Sequence, residues 1–191
     1  MKIILATHNP HKREELLSLA GDAFEIELLP DDFPEIPETG DTLEENALIK
    51  ARFVFDKMNL SALADDTGLE VSALGGAPGV YTARYAGENA TYEDNCRKLL
   101  DELKNENDRR AKFSTVICFT TEKGSEHFFR GEVEGIITKY FRGTNGFGYD
   151  PVFEPLEGGG KTFAEMTSEQ KNQLSHRARS MRQFLSYWQK P

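Results

Sequence analysis

The stretch from residue 64 to residue 85 constrains the chain most. Two adjacent acids, Asp65 and Asp66, end a short apolar run and meet Thr67-Gly68, a pattern that predicts a strand giving way to a turn. Strand ends of this kind are where α/β proteins place their chemistry. Leu69 to Leu74 then alternates into the corner Gly75-Gly76-Ala77-Pro78-Gly79, whose glycines permit positive φ and whose proline fixes the turn. An Asp pair can also do no more than cap and solvate a turn, so its meaning depends on what else the chain carries.

The first candidate companion lies near the N-terminus. Lys2 to Ala6 is a compact apolar run, and Thr7-His8-Asn9-Pro10-His11-Lys12 follows, with Asn9 placed to cap a helix that starts at Pro10. Leu16, Leu17 and Ala20 give that helix an apolar face, Lys12, Arg13, Glu14 and Glu15 take its other sides, and Gly21 closes it. N–H groups at a helix start favour a phosphate, and Thr7, Asn9 and Lys12 add a hydroxyl, an amide and a cation. The glycines of a P-loop are missing, and an ordinary capped helix with a solvated lysine reads the same way.

Glu25 to Leu29 alternates as a second strand, and Pro30 to Gly40 is an acidic, proline-rich loop that cannot be regular. Thr42-x-x-Glu45 is a capping box opening a helix with Ala47, Leu48, Ala51, Val54 and Phe55 on its stripe, along with Glu44 and Lys50. Capping alone accounts for Glu45, although a metal-binding role is the alternative. Thr91 caps a third helix, and residues 112–121 and 127–138 read as long antiparallel strands in which Gly131 and Gly135 mark bulges or bends.

A second shaped loop, Gly143 to Pro151, sets Phe147 and Tyr149 among glycines and ends on Asp150. Its rings suit stacking on a flat ligand or tucking into a core. Thr167-x-x-Gln170 caps a short helix bearing Lys171, and Ser175-His176-Arg177 opens a last one with Met181, Phe184, Leu185 and Trp188 as its apolar face. Cations at a helix start oppose its dipole, so His176 and Arg177 are expected to face something negative or electron-rich.

The 191 residues suit one domain, or two small lobes sharing a core, without repeats. A net charge of −9 argues against a nucleic-acid polymer as partner, while a small anion held by local N–H groups and a few cations remains compatible. Cys96 and Cys118 are far apart and lack metal-ligand spacing, which points to a reducing, cytoplasmic compartment. The N-terminal apolar run is too short for a signal peptide or membrane span. The expected architecture is a mixed α/β fold over residues 1–191, with one long mixed sheet flanked by helices, two lobes and a central substrate groove.

Thr-His-Asn-Pro-His-Lys, Glu-Glu-Asn-Ala-x-x-Lys-Ala, the 64–85 stretch, Gly-Phe-Gly-Tyr-Asp-Pro and Ser-His-Arg occur in an order that resembles the inosine/xanthosine triphosphate pyrophosphatase family throughout. That resemblance implies a magnesium-dependent homodimer that hydrolyses deaminated purine nucleoside triphosphates to the monophosphate and pyrophosphate. It implies phosphate binding by Thr7, His8, Asn9, Pro10, His11 and Lys12, with Asp66 as general base and magnesium ligand and Thr67 touching the substrate. The nucleoside would meet Phe147, Gly148, Tyr149, Asp150, Lys171, His176 and Arg177. For the further metal carboxylate the candidates are Glu35, Glu38 and Glu45, with Glu38 favoured. Two other readings fit the same residues: a nucleotide-binding module without turnover, and a pyrophosphatase for pyrimidine nucleotides.

Overall fold

The computed structural model describes residues 2–189. In chain order the elements are β1 (Lys2–Leu5), α1 (Pro10–Ala20), β2 (Glu25–Leu28), α2 (Leu43–Met58), β3 (Ser61–Val71), β4 (Pro78–Gly79), α3 (Tyr92–Glu102), β5 (Arg110–Thr120), β6 (Glu126–Ile137), β7 (Phe153–Pro155), α4 (Ser168–Leu174) and α5 (His176–Trp188), with short 3-10 turns besides. The strand order is β2-β1-β3-β5-β6-β7, and β4 pairs with β3. β1 runs parallel to both β2 and β3, whereas β7 is antiparallel to β6, so the sheet is mixed as expected.

The chain divides into two compact units. One contains residues up to Asp66, Thr115–Gly131 and the segment from Arg177 onward; the other contains Thr67–Ser114 and Glu132–His176. In the first, Ile3, Leu5, Leu16, Leu63, Ile117, Phe119, Phe129, Met181 and Phe184 form one buried cluster from β1, α1, β3, β5, β6 and α5. Each such side chain contributes about 1.5–3 kcal/mol when fully removed from water. In the second, Leu69, Val71, Leu99, Phe113, Val133, Ile137, Tyr149, Phe153 and Phe163 belong to the core.

The capping chemistry read from the sequence is present. Asn9 Oδ1 accepts from the N–H groups of His11 and Lys12, and Thr42/Glu45, Thr91/Asp94 and Thr167/Gln170 form reciprocal boxes at α2, α3 and α4. Leu17 departs from the expected stripe: it is exposed, while Leu16 and Ala20 carry the buried face of α1.

Two expectations are corrected. No turn follows Asp66, because β3 continues without a break from Ser61 to Val71 and both acids sit in mid-strand. The strand is buried along nearly its whole length, and such a strand loses the alternation that marks its middle and its end. Gly135 is not at a bulge but opposite Pro155 in the β6–β7 register, where a Cβ would meet the Phe153 ring and the Glu154 carbonyl. Close approach, not bending, explains that glycine.

Candidate active site

Neighbouring residues of a strand point to opposite faces, and β3 uses this to separate its two acids. Leu63 lies in the cluster with α1 and α5, and Asp65, two residues on, faces the same helices: its Oδ2 is 3.3 Å from Lys12 Nζ of α1 and 3.3 Å from both Nε and Nη2 of Arg177 on α5. Asp66 faces the other way, with Oδ1 2.8 Å from Lys50 Nζ of α2. The same ammonium is 2.7 Å from Glu38 Oε1 in the acidic loop. The first unit therefore holds Lys12, Lys50 and Arg177 against Glu15, Glu38, Asp65 and Asp66, since Arg177 Nη1 also donates to Glu15 Oε2 at 2.5 Å.

Burial and charge oppose each other at these groups. Burial would raise the Asp65 carboxyl, but Lys12, Arg177 and Lys50 outweigh it and hold it well below the usual carboxylate range. At Asp66 burial wins: its carboxyl lies above the ordinary value, with Lys50 and Lys12 offsetting only part of the shift. Burial works against the Lys50 ammonium too, yet Asp66, Glu38 and Asp65 together raise its pKa and keep it protonated. Glu38 lies below its ordinary value because Lys50 and Lys12 overcome the effect of burial. Thus one of the two adjacent acids is a fixed anion, and the other is better suited to accept a proton.

Among the three carboxylates considered for metal, Glu45 is committed to its cap, accepting from the N–H groups of Asp41 at 2.7 Å and Thr42 at 3.2 Å. Glu35 is exposed, and Glu38 shares Lys50 with Asp66. Among the described residues no group of three or more His, Cys, Asp or Glu could hold a metal. An oxygen-only pair of carboxylates suits magnesium, which keeps several waters and takes further oxygens from phosphates. It does not suit structural zinc, which takes a closed set of nitrogen and sulfur ligands.

The loop from Thr7 to Lys12, expected to hold phosphates, differs from its expected form in one respect. The His11 and Lys12 N–H groups bond Asn9 Oδ1, the Asn9 N–H bonds Thr7 Oγ1, and the Thr7 N–H bonds the Leu5 carbonyl. What the loop offers an anion is chiefly the Lys12 ammonium and the exposed His8 and His11 side chains. The same capping that fixes the helix start uses the N–H groups counted on from the sequence.

In the second unit, Asp150 Oδ2 accepts from the Phe147 N–H at 2.9 Å and from Lys171 Nζ at 2.5 Å. Gly146 has φ +73°, and a Cβ there would collide with the Asp150 carboxylate, so the loop needs glycine. Phe147 is half-buried, with Tyr92 5.8 Å away and Lys171 Nζ 5.0 Å over its ring. Gly148 accepts from Cys96 Sγ, and Tyr149 is a core ring whose hydroxyl donates to the Thr82 carbonyl at 3.0 Å. Of the two aromatics, one tucks into the core and the other does not. His176 is buried and stacks on Phe113 at 4.5 Å and 11°. Thr67 is the next, half-buried residue of β3.

Glu15 and the separate task of Asp65 were not foreseen. The only advance signal for Glu15 was its place three residues after Lys12, which puts both on one side of α1.

The Ham1 family model matches residues 3–187, which covers all the elements above except Lys2 of β1 and Trp188 of α5. The chain belongs to the Ham1 family. It is 52% identical to a protein of Thermoanaerobacter sp. strain X514 named dITP/XTP pyrophosphatase, over 98% of this chain and 96% of that one. It is 47% identical, over the full length of both, to a protein of the same name from Christiangramia forsetii. Among solved structures, the HAM1 protein of Coxiella burnetii is similar at TM-score 0.88 and 40% identity, covering 98% of each chain. The Staphylococcus aureus Ham1 protein is similar at TM-score 0.86 and 39% identity, over 98% of this chain and 97% of that one.

Proposed function

We propose that this protein is a magnesium-dependent pyrophosphatase that hydrolyses deaminated purine nucleoside triphosphates, dITP, ITP and XTP, to the nucleoside monophosphate and pyrophosphate. The names of the relatives at 47% and 52% identity support the reaction and substrate class. The observation that carries the reading at atomic level is the convergence of Glu38 and Asp66 on one cation, Lys50. Two carboxylates that meet at one cation are oxygen donors of the kind magnesium takes alongside waters and substrate phosphates.

In this reading Glu38 and Asp66 would hold magnesium, which would offset charge on the phosphate oxygens. A triphosphate brings about four negative charges, and Lys12, with the rest of the Thr7 to Lys12 loop, meets part of them. Asp66 takes the proton of the attacking water, as a carboxylate held in place on β3. Asp65, held ionised by Lys12 and Arg177, keeps the neighbouring cations in place.

The nucleoside side comprises Thr67, Phe147, Gly148, Tyr149, Asp150, Lys171, His176 and Arg177. Phe147 supplies a ring face, and Asp150, Lys171 and Tyr149 hold its loop in shape. His176 supplies a donor to the C6 oxygen of hypoxanthine or xanthine, where adenine presents an amino donor instead, while the Arg177 guanidinium is engaged by Asp65 and Glu15. Among the described residues no helix is long and apolar enough to cross a membrane, and we take the protein to act in the cytoplasm, as one domain per chain and as a homodimer.

The test is to incubate the purified protein and magnesium with a panel of purine and pyrimidine nucleoside triphosphates while measuring pyrophosphate and orthophosphate separately. The reading requires pyrophosphate from dITP, ITP and XTP at rates far above those from ATP and the pyrimidine nucleotides. A flat panel, or binding of dITP without turnover, would overturn it.

A further inference from the structure

On α1, Lys12 and Glu15 are three positions apart and leave the helix on one side. Their partners form a single chain of charge: Lys12 Nζ lies 3.3 Å from Asp65 Oδ2, Arg177 Nε and Nη2 each lie 3.3 Å from that same oxygen, and Arg177 Nη1 lies 2.5 Å from Glu15 Oε2. Asp65 and Arg177 are almost wholly removed from solvent, and the Glu15 side chain is 17% exposed.

The distances are unequal in an informative way. A guanidinium and a carboxylate left to themselves form a two-pronged pair with N···O separations of roughly 2.7–2.9 Å. Here Arg177 makes one short contact, from Nη1 to Glu15 Oε2, and stands farther off from Asp65, where Nε and Nη2 both meet a single oxygen. The guanidinium thus sits nearer to Glu15 than to Asp65. The Asp65 oxygen stays shared, and Lys12 has a fixed anion on which to rest its ammonium.

We propose that Glu15 is a positioning residue that sets Lys12 for the phosphates of the substrate by restraining Arg177 from closing on Asp65. Without its carboxylate, Arg177 takes both oxygens of Asp65, and Lys12 loses its anchor. The effect reaches the substrate through Arg177, Asp65 and Lys12 in turn, so Glu15 itself need touch no ligand. This inference rests on the assignment of Lys12 to the phosphates made above.

A double-mutant cycle tests it. Glu15→Gln, Lys12→Met and the combined variant are compared with the wild type for pyrophosphate affinity by calorimetry, for kcat and KM with dITP, and for folding by circular dichroism. Glu15→Gln is expected to weaken pyrophosphate binding about tenfold, Lys12→Met to weaken it at least as much, and the double variant to be no weaker than Lys12→Met alone, the pattern of residues acting in one chain. Glu15→Asp, which keeps the charge on a shorter arm, should fall between wild type and Glu15→Gln. Losses that multiply in the double variant would overturn the proposal, as would a Glu15→Gln that binds pyrophosphate like the wild type. Should Glu15→Gln not fold, Glu15→Asp takes its place in the cycle under the same criteria. Failure of the pyrophosphatase reading looks different: the wild type would release no pyrophosphate from dITP, whatever the cycle shows.

Discussion

Lys50 Nζ lies 2.8 Å from Asp66 Oδ1 with both side chains buried, so the carboxylate assigned as general base is also half of an ion pair. Asp66→Asn keeps the shape and a hydrogen-bond acceptor for Lys50 while removing the base. We expect it to fold and to lower kcat by roughly 10²–10⁴-fold, the range for a positioned acid–base group. Rates at saturating magnesium above half of wild type would place the base elsewhere.

Glu38 is the other carboxylate on Lys50, at 2.7 Å. Activity should vanish on chelation and return with magnesium. In Glu38→Gln the magnesium concentration for half-maximal rate should rise by roughly tenfold or more, the scale on which loss of a supporting carboxylate weakens metal sites. A magnesium titration that superimposes on that of the wild type would remove Glu38 from the metal site.

Base selection is expected to rest on hydrogen-bond sign. His176→Phe preserves a flat ring against Phe113, which stacks on His176 at 4.5 Å, but removes the donor. A buried donor left without its acceptor costs about 1–3 kcal/mol, so the ratio of kcat/KM for dITP over ATP should narrow by roughly 10-fold or more. Equal losses for both substrates would assign His176 to the scaffold.

Asp65 predicts how the protein meets acid. Its ordinary value is 3.8 and its folded value is far lower, because Lys12, Arg177 and Lys50 overcome the cost of burial. A depressed carboxylate contributes stability in full above its unfolded pKa and loses it as pH falls toward the folded one. The melting temperature should therefore drop as pH falls below about 4, and Asp65→Asn should show a shallower drop over the same range. Parallel slopes in the two proteins would contradict this.

Much of this was legible in the sequence. Capping boxes at Thr42 and Thr167, the cap at Thr91 and the Asn9-Pro10 helix start are local, and local chemistry is written in adjacent residues. The run of β3 through Asp65 and Asp66 was not, since a strand buried on both faces carries no alternation to read. Neither was the role of Glu15, which looked like any charged residue on a helix surface until Arg177, far along the chain, came to meet it. Phe147 and Tyr149 illustrate the same limit: one loop holds both rings, and only the Thr82 carbonyl decides that Tyr149 belongs to the core.

Release of intact pyrophosphate that takes no oxygen from water requires the water activated by Asp66 to attack the α-phosphorus of the nucleoside triphosphate. Hydrolysis of dITP in ¹⁸O-labelled water, followed by mass spectrometry of the products, tests it most directly. The account predicts one labelled oxygen in the monophosphate and unlabelled pyrophosphate, whereas label in pyrophosphate, or orthophosphate as the first product, would contradict it.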